Sequence, residues 1–369
     1  MFEPAGRLMT DDEQRPHRVG WGQLPGPVRV TVENRLGARV ESVTVPAGGY
    51  SHGMASVLQL DDGRTVFAKA IHTNDTLAHM YRTEADTTAG LPAAVPVPTV
   101  LFSLETDGWL VTAFEAVEGR HPRLDQPTEL AAVLHAVEQL ATALTPCPLE
   151  DVPTIAQSYG TALTGWQEFA ADGPPADLDE WPRRNLTRLA ELETTWMGYA
   201  AGNTLLHTDI RPDNLMIRSD GSVVVVDWAW PCVGAAWVDA VSLAPSMLAV
   251  GVDPDPVLAG IGVDKNAVDA FAAGLAGYWA RNCRQPAPPR SPHLRDHQAR
   301  NAELSPSHGS LAGYLGCDTR VYLLAKNDAK IDRWLRRRLR WLGSPHRAPS
   351  QWSIGIRATA ANGARRSIG

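Results

Sequence analysis

The sequence is poor in cysteine and has no long apolar run. Cys147, Cys232, Cys283 and Cys317 stand far apart with no CxxC pair. That spacing speaks against a zinc site and a disulfide framework, and leaves buried or unreactive thiols. No stretch approaches the ~20 apolar residues of a membrane-spanning helix, so no membrane partner is expected. The opening MFEPAGRLMTDDEQRPHR lacks the basic-then-apolar layout of a secretory signal, which makes a cytoplasmic location the expectation. Positive charge is not in excess: 34 Lys and Arg against 41 Asp and Glu give a formal net charge of −7. Such a balance argues against a nucleic-acid partner and suits a cationic small one. What is present is ordinary, 44% hydrophobic and 20% charged residues over 369 positions, enough for more than one lobe with a substantial core.

Residues 1–39 read as an N-terminal extension, polar at first, with a short helix over PGPVRVTVENRL stopped by Gly37. From 40 to 118 the runs VESVTVP, ASVLQL and TVFAKAI, divided by GGYSHG and DDG, predict a strand followed by a hairpin. LAHMYRTEADTTAGL predicts a helix, and VPTVLFSLE with GWLVTAFE a second strand pair. VEGRHP reads as a crossing point into a mostly helical region, 119–343. There TELAAVLHAVEQLATAL, TALTGWQEFA and LTRLAELETTWMGYA repeat apolar residues at three- and four-residue steps. Further helices are expected around 236–249, 266–281 and 328–342, whereas 294–327 shows no assignable pattern. The tail, 344–369, has the small and basic composition of a disordered segment. The fold class is therefore α+β, a small antiparallel β lobe with one main helix and a larger, mostly helical C-terminal lobe.

HTDIRPDN, residues 207–214, lies between two apolar runs, and VVVVD ends at Asp227. Polar groups beside a buried hairpin need structural partners or a ligand. With Asp220-Gly221 taken as a two-residue turn, Asn214 faces Asp227 and Met216 faces Val225. An amide oxygen and a carboxylate at one hairpin end suit Mg²⁺, which takes its remaining oxygens from water and phosphates. Asp209, just before the hairpin, is then placed to accept the proton of a hydroxyl nucleophile. His207 fits a scaffold that bonds the loop backbone. For any one of these residues, simple capping of turn amides explains as much. Together they point to a site.

His207-x-Asp209-x-x-x-x-Asn214 followed by Asp227 resembles the catalytic loop and metal-binding Asp of the protein-kinase-like superfamily. It is most similar to the branch of aminoglycoside phosphotransferases and choline kinases, in which Trp commonly follows that Asp, as Trp228 does here. WVDAVSL, with Asp239, resembles the stretch after the site in that branch. The resemblance implies a bilobal protein-kinase-like fold that binds ATP and Mg²⁺. It makes Asp209 the base or hydroxyl orienter, Asn214 and Asp227 the metal ligands, and Lys69 the phosphate-binding lysine held by Glu84. Gly48, Gly49 and Gly53 of GGYSHG, a poor match to GxGxxG, would cover the phosphates; a plain hairpin turn explains them equally. Backbone groups of Glu115 and Val117 would read the adenine edge, between Val57, Ala68 and Met216. Arg211 stands where protein kinases carry a lysine that reaches the transferred phosphate; a surface salt bridge is the alternative.

Only WAWPCVGAAWV separates Asp227 from Asp239, and neither DFG nor APE is present. That leaves little room for a peptide platform, so the expected acceptor is a hydroxylated small molecule. An aminoglycoside-like antibiotic is the first expectation. Another metabolite or a macrolide is the alternative, as is a nucleotide-binding pseudoenzyme without transfer. For a polycation, DGPPADLDE (172–180), Asp253 and Asp255 are the possible acidic sources. Trp228, Trp230 and Trp237 offer either a stacking pocket or core packing. RWLRRRLRWL (333–342) fits an amphipathic helix with solvated arginines. The oligomeric state is not legible.

Overall fold

The computed structural model describes residues 18–46, 52–287 and 294–304, all within one unit, Met1–Leu323. Near the N-terminus, α1 (Gly26–Leu36) forms where the sequence predicts it. Gly37 closes it in the left-handed region, at φ 72, with its N–H on the Glu33 carbonyl at 2.8 Å. Five antiparallel strands follow: β1 (Val40–Thr44), β2 (Met54–Leu60), β3 (Thr65–His72), β4 (Val100–Thr106) and β5 (Trp109–Glu115). Their order in the sheet is β1-β2-β3-β5-β4.

Strand alternation gives this sheet two unlike faces. Met54, Leu58, Val66, Ala68, Ala70, Val111 and Ala113 cluster with Val28, Val32 and Leu36 of α1. Each buried Val, Leu or Met side chain among them contributes about 1.5–3 kcal/mol. The opposite face carries Phe67, Lys69 and Ile71, and there α2 (Ala78–Gly90) sets Ala78 and Tyr81 against Ile71 and Leu110. Ala68 therefore lies against α1 and not on the Lys69 face, which corrects its expected place as an adenine wall. The physical reason is the period of two, since a strand residue adjacent to Lys69 must face the other way. Phe67, paired across the ladder with Val57, occupies the Lys69 face instead.

The larger lobe is helical, as expected, but its helices are more divided. They are α3 (Pro127–Ala143), α4 (Ile155–Tyr159), α5 (Gly165–Asp172), α6 (Glu180–Arg184), α7 (Leu186–Tyr199), α8 (Val238–Ser242), α9 (Ala244–Ala249), α10 (Asp255–Gly260), α11 (Lys265–Asn282) and α12 (Leu294–Leu304). Pro245, which lacks an N–H, sits in the first turn of α9 and marks the break inside the expected 236–249 helix. α11 is buried along most of its length and packs on α5, α7 and α12. Two glycines permit this: a Cβ on Gly165 of α5 would collide with the Gly277 carbonyl, and one on Gly277 with the Glu193 carboxylate and Trp166. Two small sheets interrupt the helices, β6 (Thr204–Leu206) with β9 (Cys232–Gly234) and β7 (Leu215–Ile217) with β8 (Val223–Val225). The expected helix over 328–342 and the tail lie outside the described residues. No helix among the described residues is long and apolar enough to cross a membrane.

One buried carboxyl ties the helices together. Glu193 of α7 accepts the backbone N–H groups of Trp166 at 3.2 Å and Gln167 at 2.8 Å, at the start of α5, where a helix leaves N–H groups without intrahelical partners. Burial pushes the Glu193 carboxyl up to about 7, against the pull of those donors and of Arg281. A folded-state pKa above the ordinary 4.5 contributes stability that is complete below that value and lost as pH rises through about 7. The full loss is roughly 3 kcal/mol. Glu193→Gln is expected to flatten Tm across pH 4.5 to 7 relative to the unaltered chain, whatever its absolute Tm. Parallel melting curves over that window would contradict this.

Candidate active site

The loop after β6 is held from behind by a single carboxylate. Asp239, in the first turn of α8 and 5% exposed, accepts the His207 N–H at 2.9 Å and the Thr208 N–H at 2.8 Å. The fully buried His207 ring bridges the loop to the end of β8. Its Nδ1 accepts the Asp209 N–H at 3.2 Å, so Nε2 carries the proton and donates to the Val226 carbonyl at 3.0 Å. Trp228 closes on the ring edge-on, with centroids 4.8 Å apart. The expected scaffold role of His207 thus has a concrete geometry.

Thr208 has φ 64, a left-handed conformation that costs a non-glycine residue about 1–2 kcal/mol. Its hydroxyl donates to the Trp230 carbonyl at 2.7 Å and lies 2.8 Å from the Tyr159 hydroxyl, which then donates to it. Together with the Asp239 bond, these over-determine the backbone at that point. Neither Tyr159 nor the role of Asp239 is legible in local sequence, because both act across the fold.

Asn214 lies beside Asp209, its Nδ2 donating to the Asp209 carbonyl at 2.8 Å and to Oδ2 at 2.9 Å. That orientation leaves the Asn214 Oδ1 for another ligand. The expected hairpin register is off by one residue: Leu215 pairs with Val225 and Met216 with Val224. The loop has three residues, 219–221, closed by the Arg218 N–H on the Ser222 carbonyl at 2.9 Å, with Gly221 at φ 84. Asn214 consequently opposes Val226, whose N–H donates to the Asn214 carbonyl at 3.0 Å. Asp227 follows with φ 69, and the chain turns there so that its carboxylate meets the small lobe.

That meeting point is Lys69. Its Nζ donates to both Glu84 oxygens at 2.7 Å and to Asp227 Oδ1 at 2.8 Å, joining β3, α2 and the hairpin. Burial opposes a charge on Lys69, but the Asp227 and Glu84 carboxylates override it and hold the ammonium above its usual range. Burial likewise works to raise Asp227, and the Lys69 charge wins, keeping that carboxyl below its ordinary value. Burial raises Asp209 in spite of Arg211. Two carboxyls of one site are thereby pushed in opposite directions, a pattern that separates proton-accepting from charge-holding roles.

Arg211 pairs with Asp213 at 2.8 Å and stands 3.5 Å from Asp209 Oδ1. Glu115 ends β5, with its N–H on the Thr99 carbonyl at 2.8 Å and its side chain near Arg218, while Val117 follows beyond the strand, half-buried. Gly53 is buried, and a Cβ there would collide with the Tyr81 hydroxyl and the Ala70 carbonyl. Its glycine is required by packing within the lobe. Gly48 and Gly49 lie outside the described residues. Of the three tryptophans, Trp228 is buried, Trp237 packs on Phe271 at 5.7 Å, and Trp230 is 45% exposed.

Comparison with known proteins follows the same lines. The model of the phosphotransferase enzyme family matches residues 42–291. No curated protein matches the chain. A thermostable mutant of aminoglycoside phosphotransferase APH(4)-Ia, in ternary complex with AMP-PNP and hygromycin B, shares the fold with a TM-score of 0.51 at 14% identity, over 78% of this chain and 97% of that one. The GDP and kanamycin complex of APH(2")-IIia gives 0.50 at 14% identity, over 76% and 95%.

Removing the Asp239 acceptor leaves two buried N–H groups without a partner, at about 1–3 kcal/mol each. Asp239→Ala is expected to lower Tm and to speed amide hydrogen exchange at His207 and Thr208 at least tenfold relative to core amides of α11. Unchanged exchange at those two amides would count against this account of the loop.

Proposed function

The chain belongs to the phosphotransferase enzyme family, and from that premise we propose that it moves the γ-phosphoryl group of ATP to a hydroxyl of a small molecule. The observation that carries the reading is a pair of neighbouring polar groups, near enough for Asp227 to act on the Asp209 carboxyl. Asp209 and Asn214 are bonded side by side, and Asp227, Lys69 and Glu84 form an ion cluster next to them. Arg211 connects to the first group through Asp209.

In this reading Lys69 binds the α- and β-phosphates and Glu84 fixes its ammonium. The backbone of Glu115 and Val117 meets the adenine edge, with Phe67, Val57 and Met216 as apolar walls. Asn214 Oδ1 and the Asp227 carboxylate are the residues that would hold Mg²⁺. Their chemistry fits: both are hard oxygen donors, the Asn214 amide nitrogen is already engaged by Asp209, and Asp227 keeps a 39% exposed side chain. No group of three or more His, Cys, Asp or Glu among the described residues offers an all-protein cage, as suits an ion completed by phosphate and water. When bound, Mg²⁺ would neutralise charge on the transferring phosphate.

Asp209 orients the acceptor hydroxyl and takes its proton as the new O–P bond forms; the bond from phosphorus to the bridging oxygen breaks and ADP departs. Burial raises the Asp209 carboxyl above its ordinary value, which makes it a stronger proton acceptor. Arg211, steadied by Asp213, keeps positive charge beside that carboxylate. A small acceptor is favoured because only a short connection, with β9 inside it, separates Asp227 from α8. That leaves no extended platform for a peptide.

The test is ADP release from Mg·ATP, with Mg·ATP binding measured separately by thermal shift. Asp209→Asn is expected to keep nucleotide binding and lose about 10²–10⁴-fold in transfer, the usual scale for a general base. Asp227→Ala is expected to lose metal-dependent nucleotide binding. Undiminished turnover in both variants would falsify the assignment.

A further inference from the structure

The approach to β2 meets the start of α2 at a polar pair that the roles assigned so far leave unused. His52, just before β2, places its Nε2 2.8 Å from Oδ2 of Asp75, in the connection from β3 to α2. Both side chains are largely enclosed, 12% and 14% exposed. An ionised carboxylate only accepts hydrogen bonds, so Nε2 carries the proton and donates.

Each partner is fixed from a second direction. The other Asp75 oxygen, Oδ1, accepts the Leu77 N–H at 3.0 Å, one of the donors that the start of a helix leaves unsatisfied. The Asp75 carbonyl accepts the Ala78 N–H at 3.0 Å, and the Asp75 N–H donates to the His72 carbonyl at 2.9 Å. On the other side, the His52 carbonyl accepts the Val19 N–H at 3.3 Å. Val19 precedes the residues 42–291 matched by the family model, so part of this support comes from outside the family match.

The same helix is held along its length by two further contacts. A Cβ on Gly53 would collide with the Tyr81 hydroxyl. Tyr81 stands three residues before Glu84, and residues so spaced share a helix face. Glu84 then receives Lys69 at 2.7 Å, and Lys69 pairs with Ala55 in the β2–β3 ladder. Asp75 on His52, Tyr81 on Gly53 and Glu84 on Lys69 are thus three successive ties between α2 and the β2–β3 pair. The first sets where the helix begins.

We propose that His52 is a positioning residue for nucleotide binding: through Asp75 it fixes the first turn of α2, and so brings Glu84 to Lys69. The proposal rests on Lys69 as the phosphate-binding lysine and extends that reading. If the first turn shifts, Glu84 withdraws and the enclosed ammonium is left with Asp227 as its remaining carboxylate. A buried charge draws on whatever partner remains, and Asp227 is the residue assigned to the metal ion. Both the lysine and the ion site are then less available to the phosphates.

The experiment measures Mg·ATP affinity by titration calorimetry and the rate of Lys69 acetylation, resolved by peptide mapping, in the nucleotide-free chain. His52→Ala is expected to weaken Mg·ATP about tenfold, the scale of one hydrogen bond to a charged group. It should also speed acetylation of Lys69 relative to Lys265 about fivefold, as the enclosing carboxylate withdraws. His52→Gln, whose amide N–H stands in for Nε2, should stay within about threefold of the unaltered chain in both assays. Asp75→Ala should reproduce the loss, and adding His52→Ala to it should cost less than about threefold more, because the pair is already broken. A general loss of stability would lower Tm in the Ala and Gln variants alike and leave the two substitutions additive. Unchanged affinity or unchanged Lys69 labelling in His52→Ala, equal loss with Gln, or additivity with Asp75→Ala overturns the inference. Absence of Mg·ATP binding by the unaltered chain would sink the nucleotide site and this inference with it. Binding by the unaltered chain that ignores His52 sinks the positioning role alone.

Discussion

The site depends on one buried carboxylate receiving two consecutive backbone amides. Asp239 bonds the N–H groups of His207 and Thr208, and these charge-assisted bonds are stronger than neutral ones. They hold Thr208 in a backbone region that a β-branched residue avoids. Everything downstream inherits that constraint. The His207 ring is positioned to accept from Asp209 and to reach Val226, and the Asp209 carboxylate is then fixed against Asn214. Without the Asp239 anchor, the loop would have no reason to present Asp209 on the side that it does.

A second constraint is the shared charge of Lys69. Its ammonium is nearly enclosed and touches two carboxylates from different parts of the chain, Glu84 and Asp227. A buried lysine persists in charged form only with such compensation. The cluster therefore couples the small sheet to the hairpin of the helical lobe. The partners are not equivalent, since the Glu84 side chain is 6% exposed and that of Asp227 39%. Glu84 is the enclosed partner, its carboxyl pushed up to about 7 by burial against the pull of Lys69, and Asp227 remains open to further ligands.

Much of this was legible in the sequence, and the misses have physical causes. The spacing of His207, Asp209, Asn214 and Asp227 identified the loop and hairpin because polar groups flanked by apolar strands stand out. The small-lobe strands and α1 were legible from alternation and from the Gly37 stop. The Asn214–Asp227 pairing was missed by one residue, because Asp220-Gly221 suits both a two-residue turn and the three-residue loop that forms. Ala68 reads as an adenine wall by its apolar character alone, whereas the period of two that Lys69 sets turns it to the other face. Asp239 is legible only through resemblance, since its partners are amides and carry no side-chain signature. α12 escaped altogether: His297 and Gln298 turn polar side chains inward, so the helix lacks the apolar stripe by which a packed helix is recognised.

The two sides of the site differ in how far they bind the chain to its family. The Lys69, Glu84 and Asp227 cluster lies within the family-matched residues, while α12, whose His297 and Asn301 line a cavity beside Asp209, lies beyond them. The central claim is that Asn214 and Asp227 converge to hold a divalent ion against nucleotide phosphate. The most direct measurement is electron paramagnetic resonance of Mn²⁺ as a stand-in for Mg²⁺, with AMP-PNP, in the unaltered chain and in Asp227→Asn. The account predicts a bound Mn²⁺ signal with phosphorus hyperfine coupling that requires the nucleotide, and at least 100-fold weaker ion binding in the variant. Nucleotide-dependent Mn²⁺ binding of equal strength in both proteins would contradict it.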